Sequence, residues 1–157
     1  MTLMLKQLFA LFRLLNSDTG TNQIAAGVAC GLILGFAPML SLQGLLVFLC
    51  MFLFRIQIGA ALASAFFFAL VAWLFDPLSH ALGAAILEMP ALQPLFTTMY
   101  NMPLVPLTRF YNSVVMGAGV LSLLLSPLVF FGSKRLIVTY RVQVVARFKS
   151  SPFWKLW

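Results

Sequence analysis

Residues 56–75 read IQIGAALASAFFFALVAWLF, an uncharged stretch of twenty residues set between Arg55 and Asp76. A helix rises about 1.5 Å per residue, so about 20 apolar residues cross the roughly 30 Å hydrocarbon layer of a bilayer. The stretch therefore predicts a transmembrane helix. Its first half is rich in small residues (Gly59, Ala60, Ala61, Ala63, Ser64, Ala65), which let helices approach closely. Trp73 near its end suits a membrane–water boundary.

The rest of the chain agrees with that beginning. Of its 157 residues, 62% are hydrophobic and 8% are charged, and the mean hydropathy is +1.04. A soluble domain carries roughly 25% charged residues to keep its surface wet; these residues could not. Further uncharged windows cover 19–54, 77–87, 89–108 and 110–133. A second span is expected over about 113–132, with Pro127 as a possible kink. The fold class expected is all-α: a polytopic helical membrane protein with re-entrant or broken helical hairpins. It forms one membrane domain, with an interfacial helix at 2–16, an embedded core at 23–132 and a basic tail at 134–157.

The net charge is +7, and six of the ten Lys/Arg residues lie beyond residue 133. Cations gathered in a tail fit the positive-inside rule and anionic headgroups, and no nucleic-acid partner is expected. With both termini cytoplasmic, nine of the ten cations share the cytoplasmic side, and Asp76, His80, Glu88 and Arg109 fall outside. Residues 2–16 set Lys6 and Arg13 opposite Met4, Leu5, Leu8, Leu11, Phe12 and Leu15 on a helical wheel. That is an amphipathic helix lying in the interface. The two cations interrupt the apolar run and no small-residue cleavage site follows, so a secretory leader is not expected. Residues 16–20 form a polar turn. In the tail, Arg141, Gln143, Arg147 and Lys149 alternate with apolar residues; strand and helical continuation both stay open.

Breaks in the apolar windows carry the rest. Window 19–54 is long for one helix and short for two, and Gly31, Gly35 and Pro38 interrupt it. Two helices are expected, at about 23–36 and 41–54, joined as a hairpin that need not cross the bilayer. Pro77, Pro90, Pro94, Pro103 and Pro106 break the region 77–108, with a short helix at 78–88 and a second re-entrant or interfacial segment after it. Gly31-x6-Pro38-Met39-Leu40 has a faint echo in Gly83-x6-Pro90-Ala91-Leu92. An inverted pair of broken helices is a transporter feature.

Gly27, Gly31, Gly35, Pro38, Gln43, Arg55, Asp76 and Pro77 form a spaced pattern within residues 25–88. By that pattern the segment resembles the core of a family of small bacterial inner-membrane proteins, domain-of-unknown-function family number two thousand and sixty-two. Gln57 and Asp76 stand where the family pattern has asparagine. The chain is most similar to a short sub-type. The resemblance implies a bacterial inner membrane and a neighbouring AsmA-like protein, a class linked to lipid transfer across the envelope.

Four residues are candidate contacts for a lipid headgroup or substrate: Gln43, Asp76, Glu88 and Arg109. Gln43 stands near the hairpin break, where it lines a polar dent or satisfies backbone freed by the turn. Glu88 lies between Leu87 and Met89, and an acid at membrane depth points to function by default. Arg109 would pair with it or bind a phosphate; both could instead sit in water at the outer interface. Asp76 would cap helix 78–88 with Pro77, or serve with Arg55 as an interfacial anchor. Asp76, Ser79 and His80 are close in sequence, but with no nucleophile elbow an enzyme is not expected. Cys30 and Cys50 are read as small packing residues, and neither metal nor cofactor is expected. The expected function is phospholipid handling, with lipid passed to the AsmA-like partner or moved by a homo-oligomer. The alternative is a structural adaptor that holds a larger complex through the Gly/Ala-rich helix and the basic tail.

Overall fold

The computed structural model describes residues 2–15, 19–38 and 41–149. Helix α1 (Thr2–Leu15) leads to α2 (Thr21–Phe36), α3 (Leu42–Leu53), the long α4 (Ile58–Leu87), the short α5 (Gln93–Tyr100) and α6 (Ser113–Tyr140). A 3-10 turn (Val105–Thr108) lies between α5 and α6. Past α6 the chain continues through a π turn (Arg141–Val145) into a last helical turn (Ala146–Lys149). No strand occurs among the described residues, so the tail through Lys149 is helical and the strand reading is corrected.

Helices α2 and α4 run parallel. Gly27 faces Ala60, Gly31 faces Ala61 and Ser64, and Gly35 faces Ala65 and Phe68. A methyl on Gly35 would meet the Ala65 carbonyl at 2.8 Å and the Phe68 Cβ at 2.7 Å. Gly31 and Gly35 are therefore not the break expected of them. Both lie inside an unbroken α2, and their missing side chains let two backbones touch. The break falls afterwards, at Ala37, whose extended φ −97°, ψ 148° is what a following proline imposes. The Ser41 hydroxyl then accepts from the Gly44 N–H at 3.1 Å and starts α3. Helix α3 returns toward the end from which α2 started. Ile33, Leu34, Val47, Met51, Ala61 and Ala65 form the cluster between α2, α3 and α4. Cys30 packs against that cluster, while Cys50 is exposed on α3, so only Cys30 is a packing residue.

The expected break at Pro77 is absent. Helix α4 runs 30 residues with Pro77 inside it, and the separate helix 78–88 is its last third. Proline removes one backbone bond and crowds the preceding turn. Contacts on both sides of it hold α4 continuous: α2 against Ala60–Phe68 before it, α6 against Ser79 and Gly83 after it. Asp76 is accordingly a mid-helix residue and caps nothing. Pro127 is likewise inside α6, where the Ser126 hydroxyl donates to the Leu123 carbonyl at 2.8 Å, the acceptor that residue 127 cannot serve. Pro90 does mark a break, in the turn between α4 and α5.

Helices α4 and α6 are antiparallel: Gly83 meets Ser113 and Gly117 at one end, and Ala60 joins Ile137, Ile24 and Ala25 in a cluster at the other. The echo of Gly31-x6-Pro38 in Gly83-x6-Pro90 thus lies in two parallel helices, and is not inverted; Met39 and Leu40 fall outside the described residues. Helices α4 and α6 are both long and apolar enough to cross a membrane. Only 28% of the most apolar window of each is buried, whereas the core helix of a soluble protein would be mostly covered.

Candidate functional site

The antiparallel register sorts charge along the bundle. Arg55 precedes α4; Lys134 and Arg135 lie in the part of α6 that ends beside the start of α4, and Arg141 directly follows it. Helix α1, with Arg13, joins this end, since Leu14 and Leu15 pack on Ile24, Ala60 and Ile137. Asp76, Glu88 and Arg109 stand toward the opposite end. Arg55 adopts φ 50° just after α3, and Ile56 N–H bonds the Met51 carbonyl at 3.0 Å. This is a left-handed helix end of the kind usually given to glycine, kept here with an arginine.

The tip of the α2–α3 hairpin meets α6. Phe36 stacks on Phe75 of α4 with centroids 5.6 Å apart. Gln43, in the first turn of α3, is half-buried and lies over Gly119 of α6, where a Cβ would come within 2.8 Å of its Nε2. The Oε1 atom of Gln43 is buried with no hydrogen-bond partner. The expectation that Gln43 satisfies freed backbone therefore fails for this oxygen. The Ser122 proton, one turn along α6, is already given to the Gly119 carbonyl at 3.0 Å. An unpaired buried acceptor costs about 1–3 kcal/mol, and a donor brought from outside would recover it.

The four residues expected to share one contact surface are not joined. Asp76, Glu88 and Arg109 are all exposed. Glu88 ends α4, its N–H bonding the Ala84 carbonyl at 2.9 Å. Arg109 follows the 3-10 turn with φ 56°, and Leu104 precedes that turn with φ 72°. No ion pair joins Glu88 to Arg109 among the described residues. Two groupings escaped the sequence reading. His80 Nδ1 shares a 2.5 Å hydrogen bond with Ser113 Oγ, fastening α4 to the first residue of α6. Arg141 donates from Nε to the Leu15 carbonyl, from Nη1 to Thr21 Oγ1 and from Nη2 to the Thr19 carbonyl, at 3.2, 3.2 and 2.9 Å. These partners lie more than 100 residues away, and no local pattern announces them. Among the described residues no cluster of His, Cys, Asp or Glu could hold a metal.

The chain matches the family described as an uncharacterized protein conserved in bacteria (DUF2062) over residues 5–145. It belongs to that family. The match extends the resemblance of residues 25–88 to α1, α5 and α6. An uncharacterized protein of Treponema pallidum (strain Nichols) is 37% identical over 114 residues, 73% of this chain and 70% of that protein. No solved structure matches.

Proposed function

We propose that this DUF2062 protein is a multi-pass component of a bacterial inner membrane that handles phospholipid, receiving a headgroup at the broken α2–α3 hairpin. The observation that carries this reading is the buried, unpartnered Oε1 of Gln43. A polar acceptor left open in an apolar bundle is costly unless a ligand supplies the donor. Exposed apolar rows support a lipid solvent: Leu49 and Phe52 on α3, Trp73 and Leu74 on α4, Leu124, Leu128 and Phe131 on α6. Phe36 reaches Phe75, 17 residues past the start of α4, or ~26 Å at helical rise. That is short of a full crossing, so the hairpin is read as re-entrant. The basic end is cytoplasmic by the positive-inside rule, with both termini on that side. An AsmA-like periplasmic bridge is the proposed acceptor of the lipid, on the strength of the family resemblance.

Purification in mild detergent, followed by mass spectrometry of retained lipid, tests this. Wild type retains phospholipid, and Gln43→Leu lowers retention about tenfold, the worth of one buried polar contact. Wild type free of phospholipid contradicts the proposal. Unchanged lipid in Gln43→Leu, with loss of a co-purifying protein when surface residues are altered, favours the structural adaptor. The small-residue face once assigned to an adaptor's partner is covered by α2 within the chain.

A further inference from the structure

A separate dent lies at the end of the bundle opposite the basic tail. It is an open dent of about 360 Å³ between the last turn of α4, α5 and the residues just before α6. Four aromatic rings line it: Phe96 and Tyr100, one turn apart on α5, and Phe110 and Tyr111 from the connection to α6. They brace one another. Phe96 and Phe110 have centroids 6.2 Å apart, Phe110 and Tyr111 6.0 Å, and Tyr100 and Tyr111 5.8 Å in an edge-to-face pair.

The polar part of the lining offers acceptors beside the rings. Thr97 Oγ1 donates its proton to the Gln93 carbonyl at 2.9 Å. Gln93 Nε2 donates to the Leu87 carbonyl at 2.6 Å, and Asn101 Nδ2 to the Thr97 carbonyl at 3.0 Å. One donor of each of these three side chains is turned onto the backbone, and the amide oxygens of Gln93 and Asn101 keep their lone pairs. No Lys or Arg lines the cavity. Aromatic faces and amide oxygens with no resident cation form an electron-rich box, suited to an alkylammonium group. Charges of both signs flank the lining in sequence. Glu88 directly follows Leu87, and Arg109 directly precedes Phe110, both exposed. A carboxylate favours the ammonium, and a guanidinium favours a phosphate.

We infer that this cavity binds the ammonium of a zwitterionic phospholipid headgroup, an ethanolamine or choline phosphate. This rests on the lipid-handling reading and names its headgroup class, at a place distinct from Gln43. The test offers the detergent-purified full chain an equimolar mixture of phosphatidylethanolamine and phosphatidylglycerol and quantifies what stays bound by native mass spectrometry. Wild type retains the ethanolamine lipid about fivefold over the glycerol lipid, the discrimination a cation–π contact at a partly exposed site supplies. Tyr100→Leu with Tyr111→Leu removes the preference, and Tyr100→Phe with Tyr111→Phe, which keeps the rings, retains it. Lipid bound without headgroup preference in wild type overturns this inference alone. No lipid bound at all overturns the lipid-handling reading and this inference with it. Preference surviving in the leucine variant overturns the assignment to the cavity. Soluble phosphoethanolamine displaces the bound lipid and glycerol phosphate does not; displacement by both overturns the headgroup assignment, and capture of soluble phosphoethanolamine without the lipid overturns its lipid form.

Discussion

Gly117→Ala is expected to part α4 from α6, and Gly132→Ala in the same helix to stabilise it. A methyl on Gly117 would fall on the carbonyl of Ser79, with the Ser79 carbonyl carbon at 2.6 Å and the Gly83 nitrogen at 2.8 Å. Both obstacles are backbone, so no rotamer change relieves them. Gly83 faces Ser113 and Gly117 in the same way, so the two glycines make one reciprocal contact. Overpacking costs about 1–3 kcal/mol where side chains can yield, and here the loss should reach the upper end, about 3 kcal/mol. Val115, Ala118 and Ser122, all buried on α6, would lose cover with it. Gly132 has nothing within 4 Å of an added Cβ, so alanine there keeps only its helix-propensity gain of about 1 kcal/mol. Unfolding midpoints in detergent should move in opposite directions. Equal tolerance of both alanines would mean that the glycine contact does not hold the bundle.

The second large effect is expected at Arg141. Its guanidinium fastens the end of α6 to three groups around the start of α2, drawn from Leu15, Thr19 and Thr21. Hydrogen bonds to charged groups are worth about 1.5–3 kcal/mol, and Arg141 is only half-buried, so solvent reduces the sum. Arg141→Ala should loosen the connection between α1 and α2 without unfolding α4 and α6. Amide exchange at Gln23 and Ile24, which bond the Gly20 carbonyl, should quicken about 30-fold, the equivalent of about 2 kcal/mol. Arg141→Lys should lie between, because an ammonium cannot reproduce the fork. Unchanged exchange in the alanine variant would remove Arg141 as the anchor of α1.

How far the sequence could be read follows from what each residue needs. Helices expected at 23–36 and 41–54 occur as Thr21–Phe36 and Leu42–Leu53, because Pro38 acts locally on the residue before it and Ser41 caps the next helix. The amphipathic stretch 2–16 occurs as Thr2–Leu15 for the same local reason; the turn beyond it at 16–18 falls outside the described residues. Pro77 is the counter-example. Its effect depends on whether neighbours brace the helix on both sides, and those neighbours are α2 and α6, distant in sequence. Glycine is ambiguous in the same way. Gly27, Gly31 and Gly35 recur every four residues, which marks one helix face, and the small residues at 60–65 are their counterpart. Break and close approach nevertheless look alike until the partner is known. In the tail, alternation suggested a strand, but the π turn at Arg141–Val145 shifts the phase of the side chains within a continuous helical path.

Gln43 stands out in the sequence as an amide beside a proline break in an apolar window, but its packing over Gly119 and its unpaired oxygen arise only when α3 meets the distant α6. Glu88 and Arg109 were singled out as charges in apolar sequence, yet they do not pair. The aromatic cavity between them comes from Phe96, Tyr100, Phe110 and Tyr111, whose meeting requires the chain to fold back after α5.

The most direct measurement is sidedness in sealed native vesicles. On a Cys30→Ala, Cys50→Ala background, Asn101→Cys and Arg147→Cys are labelled separately with a membrane-impermeant maleimide. The account predicts that Asn101→Cys reacts only from the periplasmic face and Arg147→Cys only once the cytoplasmic face is opened. Reaction of both from the same face, or release of the protein by an alkaline carbonate wash, would contradict a bundle whose α4 and α6 cross the bilayer.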